Sequence, residues 1–102
     1  MRNRQVVCIL DNNRERCLRE EKALDEAIAA KKLPVSGMAN FGPNYLARTG
    51  VESFPAVEVE GLYFTPKKGC KELDYAMLCD LLDMLVAKGL VTVESEERPT
   101  GG

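Results

Sequence analysis

The stretch Gln5-Val6-Val7-Cys8-Ile9-Leu10, followed by Asp11-Asn12-Asn13 and a helix-forming run from Arg14 to Lys32, decides the architecture. A continuous run of β-formers with no charge suits a strand buried on both faces in the middle of a sheet. The Asp-Asn-Asn cluster is a turn and supplies an N-cap for the helix-forming run. Within the long run, Cys17, Leu24, Ala27 and Ile28 recur at seven- and four-residue spacings, which places them on one side of an amphipathic helix. A strand that feeds a long helix implies a right-handed crossover to a parallel neighbour.

The rest of the chain extends this beginning. Pro34 ends the helix, and Val35 to Phe41 forms a short second strand, weakened by Gly37 and Asn40. Gly42-Pro43-Asn44 starts a short helix through Arg48, with Gly50 as its stop. Beyond Phe54-Pro55, Val57 and Val59 alternate with Glu58 and Glu60, and Leu62-Tyr63-Phe64 comes next across Gly61, so two antiparallel strands are expected. A last helix from Asp74 to Lys88 carries Met77, Leu78, Leu81, Met84 and Leu85 on its apolar face and stops at Gly89-Leu90. Leu90 to Val93 is a short edge strand or a docked extension. The expected division is one domain over residues 1–93 and a polar, disordered tail over 94–102.

With 102 residues and 45% apolar content, the chain can build one compact core and no second domain. A charged fraction of 29% and a net charge of -2, without a basic patch, make nucleic acid a poor partner. The apolar run Val6 to Leu10 is too short for a signal-peptide core or a membrane span, so a cytoplasmic protein without membrane attachment, monomeric or weakly dimeric, is expected.

Cys8, Cys17, Cys70 and Cys79 sit at spacings of 9, 53 and 9, which match neither a zinc knuckle nor a disulfide scaffold, and the chain has no His. No metal site is expected. Cys8 and Cys79 read as small packed hydrophobes. Cys17 is either a packed helix cysteine or a reactive thiol, since Arg14 and Arg16 precede it while Glu20 and Glu21 come after. Cys70 has the stronger claim to a perturbed thiol, because Lys67, Lys68 and Lys71 surround it and a helix begins just beyond. Tyr45, Phe54, Tyr63 and Phe64 read as core or half-core residues.

The order strand, helix, strand, short helix, two strands, helix resembles the thioredoxin superfamily in its short glutaredoxin-like form. Val51-Glu52-Ser53-Phe54-Pro55-Ala56-Val57 with Gly61 beyond it is similar to the family segment in which a cis-proline opens the third strand. Gly69-Cys70-Lys71-Glu72-Leu73 resembles the stretch beside the glutathione site of glutaredoxins. The resemblance covers residues 5–89 and implies an α/β, thioredoxin-like fold: a four-stranded mixed sheet (β-α-β-α-β-β-α) with helices packed on it.

The family's chemistry uses a thiolate at a helix N-terminus and a second cysteine three residues later to resolve the mixed disulfide. Here the matching stretch is Arg14-Glu15-Arg16-Cys17, with Arg14 in place of the attacking cysteine. The first expectation is therefore a degenerate module that binds a peptide or partner protein near a cis-Pro55, where Ser53 or Phe54 backbone groups stay free to pair. The alternative is a thiol-disulfide or glutathione-linked oxidoreductase working through one cysteine, Cys17 or Cys70. In that case Lys67, Lys68 and Gly69, at the last helix's start, would hold a carboxylate of glutathione, the cofactor that the resemblance implies. Two other readings are weaker. Thr100-Gly101-Gly102 is similar to the end of ubiquitin-like sulfur carriers, whose fold begins with a hairpin instead, and a winged-helix reading of Asp74 to Val93 would set Asp74, Asp80 and Asp83 against phosphates.

Overall fold

The computed structural model describes residues 5–66 and 71–91. The first strand, β1 (Gln5–Leu10), and the first helix, α1 (Arg14–Lys31), occupy the expected stretches, the helix ending one residue sooner. Asn13 starts α1 because its side-chain oxygen accepts from the Arg16 N–H, giving a partner to a donor the helix itself leaves unpaired. Lys32 ends it by turning left-handed (φ 55°), which lets the Leu33 N–H reach the Ile28 carbonyl at 3.2 Å while the Leu33 side chain is buried.

β2 (Val35–Asn40) pairs in parallel with β1, from Gln5 opposite Val35 to Leu10 opposite Asn40. Gly37 does not break this strand. A Cβ at that position would meet the end of the Asp25 side chain and crowd Leu24, so the glycine leaves room for these α1 side chains over β2. The short helix α2 (Pro43–Thr49) has proline in its first turn, where no backbone donor is needed.

β3 (Ala56–Val59) and β4 (Leu62–Phe64) form an antiparallel hairpin. Its two-residue turn, Glu60-Gly61, has positive φ at both positions (50° and 83°), the geometry whose twist matches the flanking strands. Asp74 caps α3 (Tyr75–Ala87) by accepting from the Met77 N–H. The helix closes as expected through Gly89, with the Leu90 N–H on the Leu85 carbonyl at 2.9 Å.

The strand order is β2-β1-β3-β4, with β1 parallel to β2 and β3 antiparallel to both β1 and β4. The described residues thus form an α/β protein with a four-stranded mixed sheet and three helices, in the expected order. Val7 and Ile9 of β1 and Val57 and Val59 of β3 point to one face, where Leu24, Ala27 and Ile28 of α1 and Leu78, Leu82 and Leu85 of α3 cover them. Cys8, Leu10 and Ala56 point to the other and meet Leu46 of α2.

Two expectations change in detail, and a third resolves to one of its alternatives. The α3 stripe is centred on Leu78, Leu82 and Leu85, while Met77, Leu81 and Met84 pack at its margin. Tyr45 and Tyr63 are exposed. Leu90 and Val91 dock without forming a strand; 92, 93 and the expected tail 94–102 lie outside the described residues. Among the described residues no helix is long and apolar enough to cross a membrane.

Candidate functional site

Leu10 pairs with Asn40 on one side and with Ala56 on the other. The chain leaving β1 at Asp11, the chain leaving β2 at Phe41 and the chain entering β3 at Pro55 therefore share one edge of the sheet, where α1 also begins. This corner gathers Arg14, Cys17, Ser53, Phe54 and Pro55 at one end of the molecule. Lys67, Lys68, Gly69 and Cys70 lie outside the described residues.

The surface of the corner is part apolar and part cationic. Arg14 is exposed, with its guanidinium carbon 5.8 Å from the centre of the Phe41 ring, a cation–π contact. Phe41 and Leu18 are themselves exposed. Across the edge, Ser53 is exposed, Phe54 packs half-buried against the Leu10, Leu46 and Ala56 cluster, and Pro55 is buried. The Phe54–Pro55 peptide is cis. The backbone groups of Glu52, Ser53 and Phe54 have no hydrogen-bond partner among the described residues.

Beneath that surface lies a buried charged cluster. Asp11 is completely buried and accepts from Arg16 Nε at 2.8 Å, from Arg16 Nη2 at 2.6 Å and from the Asn13 N–H at 3.1 Å. Burial alone would raise the Asp11 pKa, but the hydrogen bonds, led by those from Arg16, outweigh it and hold the carboxyl below its ordinary range.

Glu20, one helical turn beyond Cys17, is also completely buried; its Oε2 accepts from the Leu73 N–H at 2.8 Å, while Oε1 has no donor. Burial first, and the hydrogen bond to Asp11 second, push its pKa up to about 8. A proton on Glu20 turns an acceptor lacking a donor into a donor facing Asp11. At neutral pH the pair thus carries one negative charge, and Arg16 balances it.

Cys17 sits within this cluster and not on the surface. It is completely buried, with Sγ 4.0 Å from the Ile9 carbonyl oxygen and 3.9 Å from that of Asn40. Burial, reinforced by the negative charge of Asp11 and Glu20, pushes its thiol up to about 12. In these surroundings Cys17 stays a thiol, whereas nucleophilic attack on a disulfide requires the thiolate. Cys8, Cys17 and Cys79 form no disulfide.

Reading the sequence missed Asp11, Arg16 and Glu20 as a unit, and Phe41 as a surface residue. A signal for Glu20 was present. It lies three residues after Cys17 and four before Leu24, on the apolar stripe of α1, where an acid is out of place unless it has a buried partner.

No protein-family model, no curated protein and no solved structure matches this chain.

Proposed function

We propose that the chain is a thioredoxin-like module that acts by binding, holding an extended peptide or a segment of a partner protein along the approach to β3 at the Pro55 corner. The observation that carries this reading is the unpaired backbone of Glu52, Ser53 and Phe54, exposed at Ser53 and running into a strand. Extended segments add to such backbone through main-chain hydrogen bonds, and pockets for alternate side chains supply specificity. Arg14, Phe41 and Leu18 offer a mixed cationic and apolar surface at the same end. The strand order β2-β1-β3-β4 and its directions support the thioredoxin-like description, and the protonated, buried state of Cys17 speaks against thiol chemistry at that residue.

The test is to titrate a pool of extended peptides into isotope-labelled protein and follow the amide resonances. The largest shifts are expected at Glu52, Ser53 and Phe54. Ser53→Pro, which removes one backbone donor at an exposed position, should weaken binding about three- to tenfold. Shifts confined to another surface would overturn the proposal, as would efficient reduction of a disulfide or a glutathionylated substrate by catalytic amounts of the protein.

A further inference from the structure

The sheet face that carries α2 is only partly covered. Beyond the reach of that short helix lies a groove of about 330 Å³, with Val6, Cys8, Met38, Tyr45, Glu58 and Glu60 in its lining. Its apolar walls stand in water: Val6 is 37% exposed, Met38 47% and Tyr45 37%. On a folded surface, adjacent apolar side chains left in solvent mark an interaction site more often than isolated ones do.

Charge narrows the choice of occupant. Glu58 lies opposite Cys8 in the strand pairing, and its Oε1 accepts from the Tyr45 hydroxyl at 2.7 Å, which leaves its other oxygen without a hydrogen bond. Glu60 stands at the rim, where its Oε2 accepts from Gln5 Nε2 at 3.0 Å. Neither acid has a cationic partner among the described residues, whose ion pairs join Arg16 to Asp11, Arg19 to Glu72 and Lys31 to Asp83. The groove's negative field is felt by Cys8, whose thiol is pushed up to about 11 by burial and, next, by the Glu58 charge.

We infer that this groove is a docking site for one basic side chain, arginine or lysine, carried on an apolar segment of a partner protein. The long aliphatic stem of such a residue lies along Val6 and Met38 while its charged head reaches Glu58. An arginine head also lies over the exposed Tyr45 ring. A free small cation fits less well, because small-molecule sites enclose most of their ligand and this groove is open on one side. The groove reaches Asn40 at the corner end of β2, but the inference uses Val6, Met38, Tyr45 and Glu58 and does not rest on the function proposed at Pro55.

Two short apolar peptides, identical except for a central arginine in one and a central glutamate in the other, provide the test when titrated into the full chain and followed by amide NMR. The arginine peptide should shift Val6, Met38, Tyr45 and Glu58, and the glutamate peptide should not. The double variant Glu58→Gln, Glu60→Gln keeps an acceptor for Tyr45 and should weaken arginine-peptide binding about three- to tenfold, the ion pair to Glu58 and the nearby charge of Glu60 being lost. If that variant does not fold, Glu58→Gln alone and a rise in salt on the wild-type chain serve instead, and each should weaken binding. The inference fails if the arginine peptide causes no shifts at millimolar concentration, if the two peptides bind alike, or if neutralising the acids or adding salt leaves binding unchanged. It also fails if N-acetyl-arginine amide binds as tightly as the peptide, which would mark a small-cation site.

Discussion

The two faces of this sheet are built from the same strands and covered very differently. One lies under α1 and α3, helices of 18 and 13 residues, and the side chains between them exclude water. Among the described residues the other has only α2, of 7 residues, which closes over Leu10 and Ala56 but leaves Val6 and Met38 exposed. Strand alternation sends residues to both faces equally, so the difference comes from helix length. A long helix spans several strands, whereas two turns cover about 10 Å of sheet. The well-covered face carries most of the core, and the thinly covered one holds the groove proposed above as a docking site.

The largest expected effect tests that division. Leu82→Ala, in the completely buried stripe of α3, should destabilise the chain by about 3 to 5 kcal/mol, because neighbours packed on every side cannot collapse into the cavity. Leu46→Ala, under the same chemical change on the α2 face, should cost about 2 kcal/mol, since its smaller cluster borders solvent. Denaturant titrations of the two variants measure the gap. Equal costs would mean that the second face is as well packed as the first.

Much of this architecture was legible in the sequence, for identifiable reasons. β1 stood out because a run of β-formers ends at a turn cluster, and α1, α2 and α3 because each carries a recognisable start or stop: Asn13, Pro43, Gly50, Asp74 and Gly89. The corner was legible only in outline. Arg14, Ser53, Phe54 and Pro55 were picked out, but a sequence pattern does not show which edge of the sheet brings distant loops together. The Asp11, Arg16 and Glu20 cluster stayed hidden for a second reason. Asp11 resembles any turn acid, and Glu20 any helix acid, until the fold buries both; a charge becomes exceptional only through its surroundings.

That cluster anchors the well-covered side, and pH is the means to loosen it. Glu20 has an ordinary carboxyl pKa of 4.5 in the unfolded chain and a folded pKa raised to about 8, first by burial and then by Asp11. Its contribution to stability is therefore present in full below about pH 4.5 and is lost as the pH rises to about 8. Asp11 acts in the opposite sense: its folded pKa is lowered, so its contribution is present above 3.8 and is lost as the pH falls through the folded value. Stability should peak in mildly acidic solution and decline by on the order of 3 kcal/mol toward pH 8. Glu20→Gln keeps an acceptor for the Leu73 N–H and supplies a permanent donor toward Asp11. It should flatten the decline and leave the variant more stable than the wild type at pH 8. A variant whose pH profile matches the wild type would show that another group governs the slope.

The smallest expected effect isolates the two faces within a single strand. Val35 and Met38 both belong to β2, but Val35 points to the face under α1 and is 2% exposed, while Met38 points to the other and is 47% exposed. Threonine suits a strand at either position, so backbone propensity is nearly held constant and the surroundings decide the outcome. Val35→Thr places a hydroxyl where α1 excludes water and should cost about 1 to 3 kcal/mol. Met38→Thr replaces a solvated thioether and should change stability by less than about 0.5 kcal/mol. The shift in denaturation midpoint at constant slope measures both. If Met38→Thr costs as much as Val35→Thr, Met38 is already covered in the native protein, and the groove beside it is not an open surface. If it costs almost nothing, the apolar side chain contributes little to folding and Met38 stands open to solvent, as the proposed docking groove requires.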